Sequence, residues 1–236
     1  MTRRRAAVAL LLCVGMWNGV AAATGNDELA AYRELARTPE RTRLLASARR
    51  AMEAHWTGST AAADSAATAA SDSISAVPAP APDWPGPPTG LFVSLVGPRG
   101  TRSCVGSVAP VRGSLTASLA ALAVDALSAD RRRPAIRRDE LDSLRIVIAF
   151  AGRGEPVVDP RLVDPGREGL IVGGADVAVA FLPGEARTIA WALREARRVG
   201  ALRAQQPVTY QRFPAVVLSE LEPPRRSTSG GSNAGP

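Results

Sequence analysis

Lysine is missing from this chain. All 29 of its basic residues are arginine, set against 22 acids, so the formal charge of +7 is carried by guanidinium groups alone. Without lysine there is no Schiff-base nucleophile and no phosphate-cradling Gly-Lys-Ser/Thr loop, which excludes pyridoxal and kinase chemistries of those kinds. Histidine occurs once, at His55, and cysteine twice, at Cys13 and Cys104. These are too few to assemble a zinc site from nitrogen and sulfur ligands, and no clustered carboxylates point to a harder cation. Neither a metal nor a cofactor is expected. Aromatic residues make up 4% of the chain, whereas single-stranded nucleic acid needs a basic stripe interleaved with stacking rings. Nucleic acid is not an expected partner, and no membrane association is expected beyond the N-terminal segment.

That segment has the order of a secretory signal. Arg3-Arg4-Arg5 precedes an apolar run over 6–17, and Ala21-Ala22-Ala23 precedes the polar Thr24-Gly25-Asn26-Asp27. The run is shorter than the roughly 20 residues a spanning helix requires. Cleavage after Ala23 is expected, with an uncleaved anchor as the alternative, and the chain is read as exported to a periplasm, cell surface or medium. Processing would remove Cys13 and leave Cys104 as the sole thiol, so no internal disulfide is expected despite an oxidising compartment.

Residues 24–56 read as an N-terminal helical segment. Leu29, Tyr32, Leu35 and Ala36 recur at helical spacing. Thr38 and Pro39 then supply an N-cap and a first helical residue for a second helix, whose stripe is Leu44, Leu45, Ala48, Met52, His55 and Trp56. This helix, 39–56, is expected to pack on the core. Over 57–88 the composition turns to Ala, Ser and Thr and then to Ala-Pro alternation, the signature of a linker, and 221–236 reads as a disordered tail. The body, 89–220, opens with a hairpin of strands over 91–96 and 101–108. A helix lined by Leu115, Leu119, Leu122 and Ala126 follows, stopped by Arg131-Arg132-Arg133-Pro134. A strand over 145–150, a glycine-turned hairpin of 170–172 with 177–182, a helix over 185–199 and a closing strand over 208–218 complete it. Strands outnumber helices and two pairs are hairpins, so the expected class is α+β with a mainly antiparallel sheet.

The motifs, in this order, resemble the AMMECR domain family. Thr101-Arg102-Ser103-Cys104-Val105-Gly106 is similar to the family's Leu-Arg-Gly-Cys-Ile-Gly signature. Asp130, Arg132 and Pro134 or its neighbour resemble its Asp-x-Arg-Phe-x-Pro element, and Glu140-Leu141 its Glu-Leu. Gly169-Leu170-Ile171-Val172, Phe181-Leu182-Pro183, Trp191, Gly200 and Arg212-Phe213 follow as counterparts of later elements, and 44–56 resembles the first helix. About residues 41–220 are covered. The resemblance implies an α+β fold. It brings no reaction, because the family's activity is not established. Microbial members are associated with a proposed system containing a radical S-adenosylmethionine protein and a Memo-like dioxygenase, from which an exported chain would be separated. The chain departs from the pattern at Ser103 (glycine), Arg133 (phenylalanine), Glu168 (often histidine) and Gly184 (glutamine).

On an extended strand Arg102, Cys104 and Gly106 share one face, which would set a guanidinium beside the thiol, favour thiolate and leave bare backbone for a ligand. Cys104 is therefore the candidate catalytic residue, the other reading being a small buried hydrophobe. Arg102, Gly106, Asp130, Arg132 and Glu168 are the candidate ligand-binding residues, with Glu168 opposing thiolate if it lies close. His55, the sole imidazole, falls on an apolar helical stripe and reads as structural. Two functions stand at this point. One is an exported, non-catalytic domain that binds a small molecule or protein in the groove around Cys104. The other is a cysteine-dependent enzyme or redox-responsive thiol protein in which Cys104 reacts.

Overall fold

A computed structural model describes residues 27–57, 83–111, 113–130, 132–174, 178–199, 202 and 207–220. The signal segment, most of the 57–88 stretch and the 221–236 tail lie outside the described residues. Among the described residues five α-helices and eight strands follow in chain order, with a 3-10 turn at Pro160–Leu162: α1 (Ala30–Leu35), α2 (Glu40–Thr57), β1 (Gly90–Gly97), β2 (Gly100–Ser107), α3 (Leu115–Asp125), α4 (Arg138–Leu141), β3 (Arg145–Ala151), β4 (Glu155–Val157), β5 (Gly169–Gly173), β6 (Ala178–Phe181), α5 (Ile189–Arg198), β7 (Thr209–Phe213) and β8 (Ala215–Ser219). The strands make two four-stranded sheets, ordered β2-β1-β3-β8 and β4-β7-β5-β6, and every described ladder is antiparallel. The class is α+β.

Alternation along the strands sets the layers. On β1, Leu91, Val93 and Leu95 enter a core shared with α1, α2 and α3, while Phe92 turns the other way. On the second sheet, Leu170, Val172, Val179 and Phe181 meet Ile189, Ala192 and Ala196 of α5, while Ile171, Ala180 and Phe213 face back toward the first sheet. The order is thus helices, sheet, sheet, helix. Phe92 and Phe213 stack across the middle with ring centroids 6.0 Å apart. Membrane-crossing length and apolarity are reached by no helix among the described residues.

The stretch 208–218, which reads as one strand, is two. Pro214 has no N–H to give a ladder, so β7 pairs in the second sheet, the chain turns, and β8 pairs in the first. The same corner is turned in the opposite direction where β3 gives way to β4, and the Gly152 N–H donates to the Pro214 carbonyl at 2.9 Å. α2 is tied to this framework by Arg49, which donates to Glu220 through Nε at 2.8 Å and to the Leu144 carbonyl at 2.9 Å.

The end of the stretch read as linker is part of the core. Trp84 is buried, lies edge-on to Tyr32 at 6.3 Å, and donates from Nε1 to the Gly113 carbonyl at 2.7 Å; the Tyr32 hydroxyl donates to the Pro87 carbonyl at 2.6 Å. Beside it Asp83 accepts from the N–H groups of Leu115 and Thr116 and from the hydroxyls of Ser114 and Thr116, capping α3 from outside the helix. Burial would raise its carboxyl, but these donors outweigh that effect and hold it below the usual carboxylate range. Composition alone reads Asp-Trp-Pro-Gly-Pro-Pro as linker because the ring that anchors it is a single residue. Trp84→Ala should lower the unfolding free energy by about 3–5 kcal/mol in denaturant titration. An unchanged midpoint would return 83–88 to the linker.

Candidate functional site

The signature strand β2 is irregular where it matters. Leu95 pairs with Ser103 and Val96 with Thr101, so Arg102 is left without a partner in a β-bulge. The bulge re-aims its side chain away from the face it would share with Cys104. Arg102 instead donates to Glu140 through Nε at 2.5 Å and Nη2 at 3.2 Å, and to the Pro134 carbonyl at 2.9 Å. It anchors α4, and the thiol loses its expected neighbour. Gly106 also has a structural reason. Its φ is +151°, and a Cβ there would fall on the Leu91 carbonyl oxygen and on Phe92, so the bare backbone is filled by β1 and offers a ligand no room. Ser103, in place of glycine, is buried and donates from Oγ to the Ala126 carbonyl at 2.6 Å, just past the end of α3.

Asp130 and Arg132 do come to Cys104. Asp130 Oδ2 accepts the Cys104 N–H at 2.9 Å, and its two oxygens accept Arg132 N at 2.9 Å, Nε at 3.0 Å and Nη2 at 2.9 Å. The far side of the Arg132 guanidinium lies 3.6 Å from Glu185 Oε1. Side-chain exposure is 13% for Arg132 and 6% for each carboxylate, so one buried cation serves two buried anions. Burial opposes the charge on Asp130, but the Arg132 bonds and the Cys104 N–H hold its carboxyl below the ordinary range. On Glu185 burial wins, and its carboxyl is pushed up despite Arg132, the Leu182 N–H donated at 3.0 Å and the Thr101 hydroxyl.

The thiol takes its character from this setting. Burial first, then the Glu185 charge, pushes Cys104 up to about 12, with Asp130 adding to the rise; Ser94 and Arg132 pull the other way. Ser94 is the register partner of Cys104 on β1, and its buried hydroxyl finds no conventional nitrogen or oxygen partner among the described residues. Packing around the sulfur is apolar, from the layer containing Phe92, Ala149 and Phe213.

The network floors a cleft of about 410 Å³ between the β1–β2 turn, the Asp130–Arg133 loop and the start of α5, with Arg99, Arg187, Trp191 and Glu195 around its mouth. Thr188 caps α5 by accepting the backbone N–H of Trp191 at 3.1 Å, and the Trp191 ring lies at the rim, edge-on to Phe181. Two candidates stand elsewhere. Glu168 accepts the Asp164 N–H at 3.1 Å and lies 3.6 Å from Arg212, serving the β5–β7 edge. His55 is exposed in the last turn of α2 beside Trp56, and Ala51 takes the place on the buried stripe that the sequence gives to His55. Glu185 carries no sequence signal beyond its place after Leu182-Pro183-Gly184. A larger depression of about 740 Å³ between α2 and α4 is lined by Glu53, Trp56 and Asp139 and holds none of the signature residues. Among the described residues no three histidines, cysteines or carboxylates are placed to hold a metal ion.

Comparisons with known proteins bear on the family and the fold. The AMMECR1 family model matches residues 45–219. A protein from Aeropyrum pernix is 34% identical over 155 residues, covering 58% of this chain and 67% of that one. One from Methanocella arvoryzae is 34% identical over 91 residues, 36% of this chain and 46% of its own length. The crystal structure of an uncharacterised protein from Pyrococcus horikoshii superposes with a TM-score of 0.51 at 22% identity, over 76% of this chain and 91% of that chain, a likeness of fold.

The pairing of Cys104 with Glu185 is testable by alkylation. At pH 8 the thiol should react with iodoacetamide at least about tenfold more slowly than an unperturbed cysteine. Glu185→Gln should speed the reaction several-fold, and Arg102→Ala should leave it within about twofold. Because the folded carboxyl of Glu185 is raised, wild-type stability is favoured below the ordinary glutamate range and declines as pH climbs through the folded value. The thermal midpoint of Glu185→Gln relative to wild type should therefore be higher at pH 8 than at pH 5. A difference that does not vary with pH would contradict the assignment.

Proposed function

The chain belongs to the AMMECR1 family, and from that premise we propose that it is an exported, non-catalytic binding domain that holds a small-molecule ligand in the cleft above Arg132 and Glu185. The observation that carries this reading is the buried Asp130–Arg132–Glu185 network forming the floor of a ligand-sized cleft. Such charges are expensive to desolvate and hold a fixed geometry only when paired. Here they fix both the shape and the polarity of the floor. Export is supported by the arginine, apolar and alanine order of residues 1–23.

The thiol-enzyme alternative draws less support. A thiol pushed up to about 12 by burial and the Glu185 charge stays in its neutral, weakly nucleophilic form at pH 7. Arg132 is the nearby cation, but Asp130 and Glu185 outweigh it at the sulfur. The sole imidazole is on α2 against Trp56, so the thiol has no imidazole partner to take its proton.

Mass spectrometry of the protein isolated from its own compartment separates the two readings. Under denaturing conditions the mass should correspond to a chain beginning at Thr24 with Cys104 unmodified. Under native conditions it should include a non-covalent increment that is lost on denaturation. An adduct on Cys104 that survives denaturation would favour the reactive-thiol reading instead, as enzyme or redox-responsive protein, and a retained 1–23 segment would contradict processing after Ala23.

A further inference from the structure

Deepening that reading, on which it rests, we infer that the ligand is a small organic anion with a planar group, its acid oxygens held by Arg99, Arg133 and Arg187 and its plane set against Trp191. The argument is one of unmatched charge. Each acid that lines the cleft has a cation within the chain. Asp130 is bound by Arg132, Glu185 lies 3.6 Å from the same guanidinium, and Glu195 accepts from Arg198 at 2.6 and 2.8 Å. Three of the arginines are not matched in return. Arg99, Arg133 and Arg187 line the cleft, are exposed, and make no ion-pair contact with a described residue, although the charge of Arg133 acts on Glu195 from a distance. Many other surface arginines do, as Arg137 does with Asp139, Arg161 with Asp159 and Arg212 with Glu155. Arg50, Arg138, Arg145, Arg194 and Arg197 close none either, but among the described residues it is Arg99, Arg133 and Arg187 that share this cleft.

The three come from separate elements, the β1–β2 turn, the loop after α3 and the approach to α5, so they converge on the cleft from different sides. Guanidinium forks suit carboxylate and phosphate oxygens, which two donors can take together. The first turn of α5 presents its positive end between Arg187 and Trp191, adding the same sign. Trp191 is 36% exposed, and one edge of its environment is fixed by Phe181, which leaves indole surface on the cleft for a flat group. The buried carboxylic group of Glu185 at the floor limits the depth to which an anion can descend, so the acid group belongs at the rim and not beside Cys104.

Isothermal titration calorimetry on the mature full-length chain tests this with phenyl phosphate, benzoate, inorganic phosphate and uncharged benzyl alcohol as probes. At least one of the two aromatic anions should bind, benzyl alcohol should not, and the stronger of phenyl phosphate and benzoate identifies the acid group. Arg99→Ala combined with Arg187→Ala should weaken the aromatic anion at least about tenfold, and raised salt should weaken it as well. Trp191→Ala should weaken the aromatic anions and leave inorganic phosphate unchanged. Binding of benzyl alcohol that depends on Trp191 and ignores both arginines would overturn the anion while leaving the cleft as a binding site. Failure of both aromatic anions at millimolar concentration would also overturn it, and the native mass measurement decides independently whether the cleft holds any ligand.

Discussion

Arg132 neutralises two buried carboxylates that reach it from opposite halves of the molecule, and the arrangement of the site depends on that one guanidinium. Asp130 follows the helix that packs on the first sheet; Glu185 precedes the helix that packs on the second. Asp130 also takes the Cys104 N–H, so the outer edge of β2 is closed by a side chain where an edge strand would present a free donor. Losing the guanidinium would leave two desolvated carboxylates with backbone and hydroxyl donors but no cation, and breaking a buried pair in this way typically costs about 3–5 kcal/mol. The cleft floor and the packing of the two halves are thus one feature.

The same network explains why the signature cysteine sits in the site without the properties of a nucleophile. A lone arginine beside a thiol lowers its pKa; an arginine shared between two carboxylates has little field to spare. Cys104 is flanked by an apolar layer on one side and by the anionic end of the network on the other, and both favour the neutral thiol. The signature's other members serve the backbone. Arg102 fastens α4, Ser103 fastens the end of α3, and Gly106 permits β1 to approach. The chemistry open to the site lies at its rim, where charged and aromatic groups meet solvent.

Much of the architecture is legible in the residues. The β1–β2 hairpin follows from alternation around Gly-Pro-Arg-Gly, and the α2 stripe from the spacing of Leu44, Leu45, Ala48 and Met52. What escaped was set by contacts distant in sequence. Pro214 divides what looks like a single strand between two sheets, and Trp84 anchors a proline-rich segment by one ring. In the site, Asp130, Arg132 and Cys104 are together as their motifs suggest. Arg102 is not, because a bulge that no local pattern announces reverses its direction. Glu185, which governs the thiol, is 53 residues from Arg132 in the chain (185 − 132), and Glu168, which drew attention as a departure from the family pattern, belongs to the Arg212 pair instead.

The most direct test of Arg132 as the link between the two halves is a double-mutant cycle in unfolding free energy, pairing Arg132→Ala with Glu185→Gln. If the guanidinium neutralises Glu185 across the cleft floor, removing the acid's charge should recover part of the stability lost with the arginine, giving a coupling of about 1–3 kcal/mol. Effects that add to within about 0.5 kcal/mol would mean that the two side chains are merely neighbours.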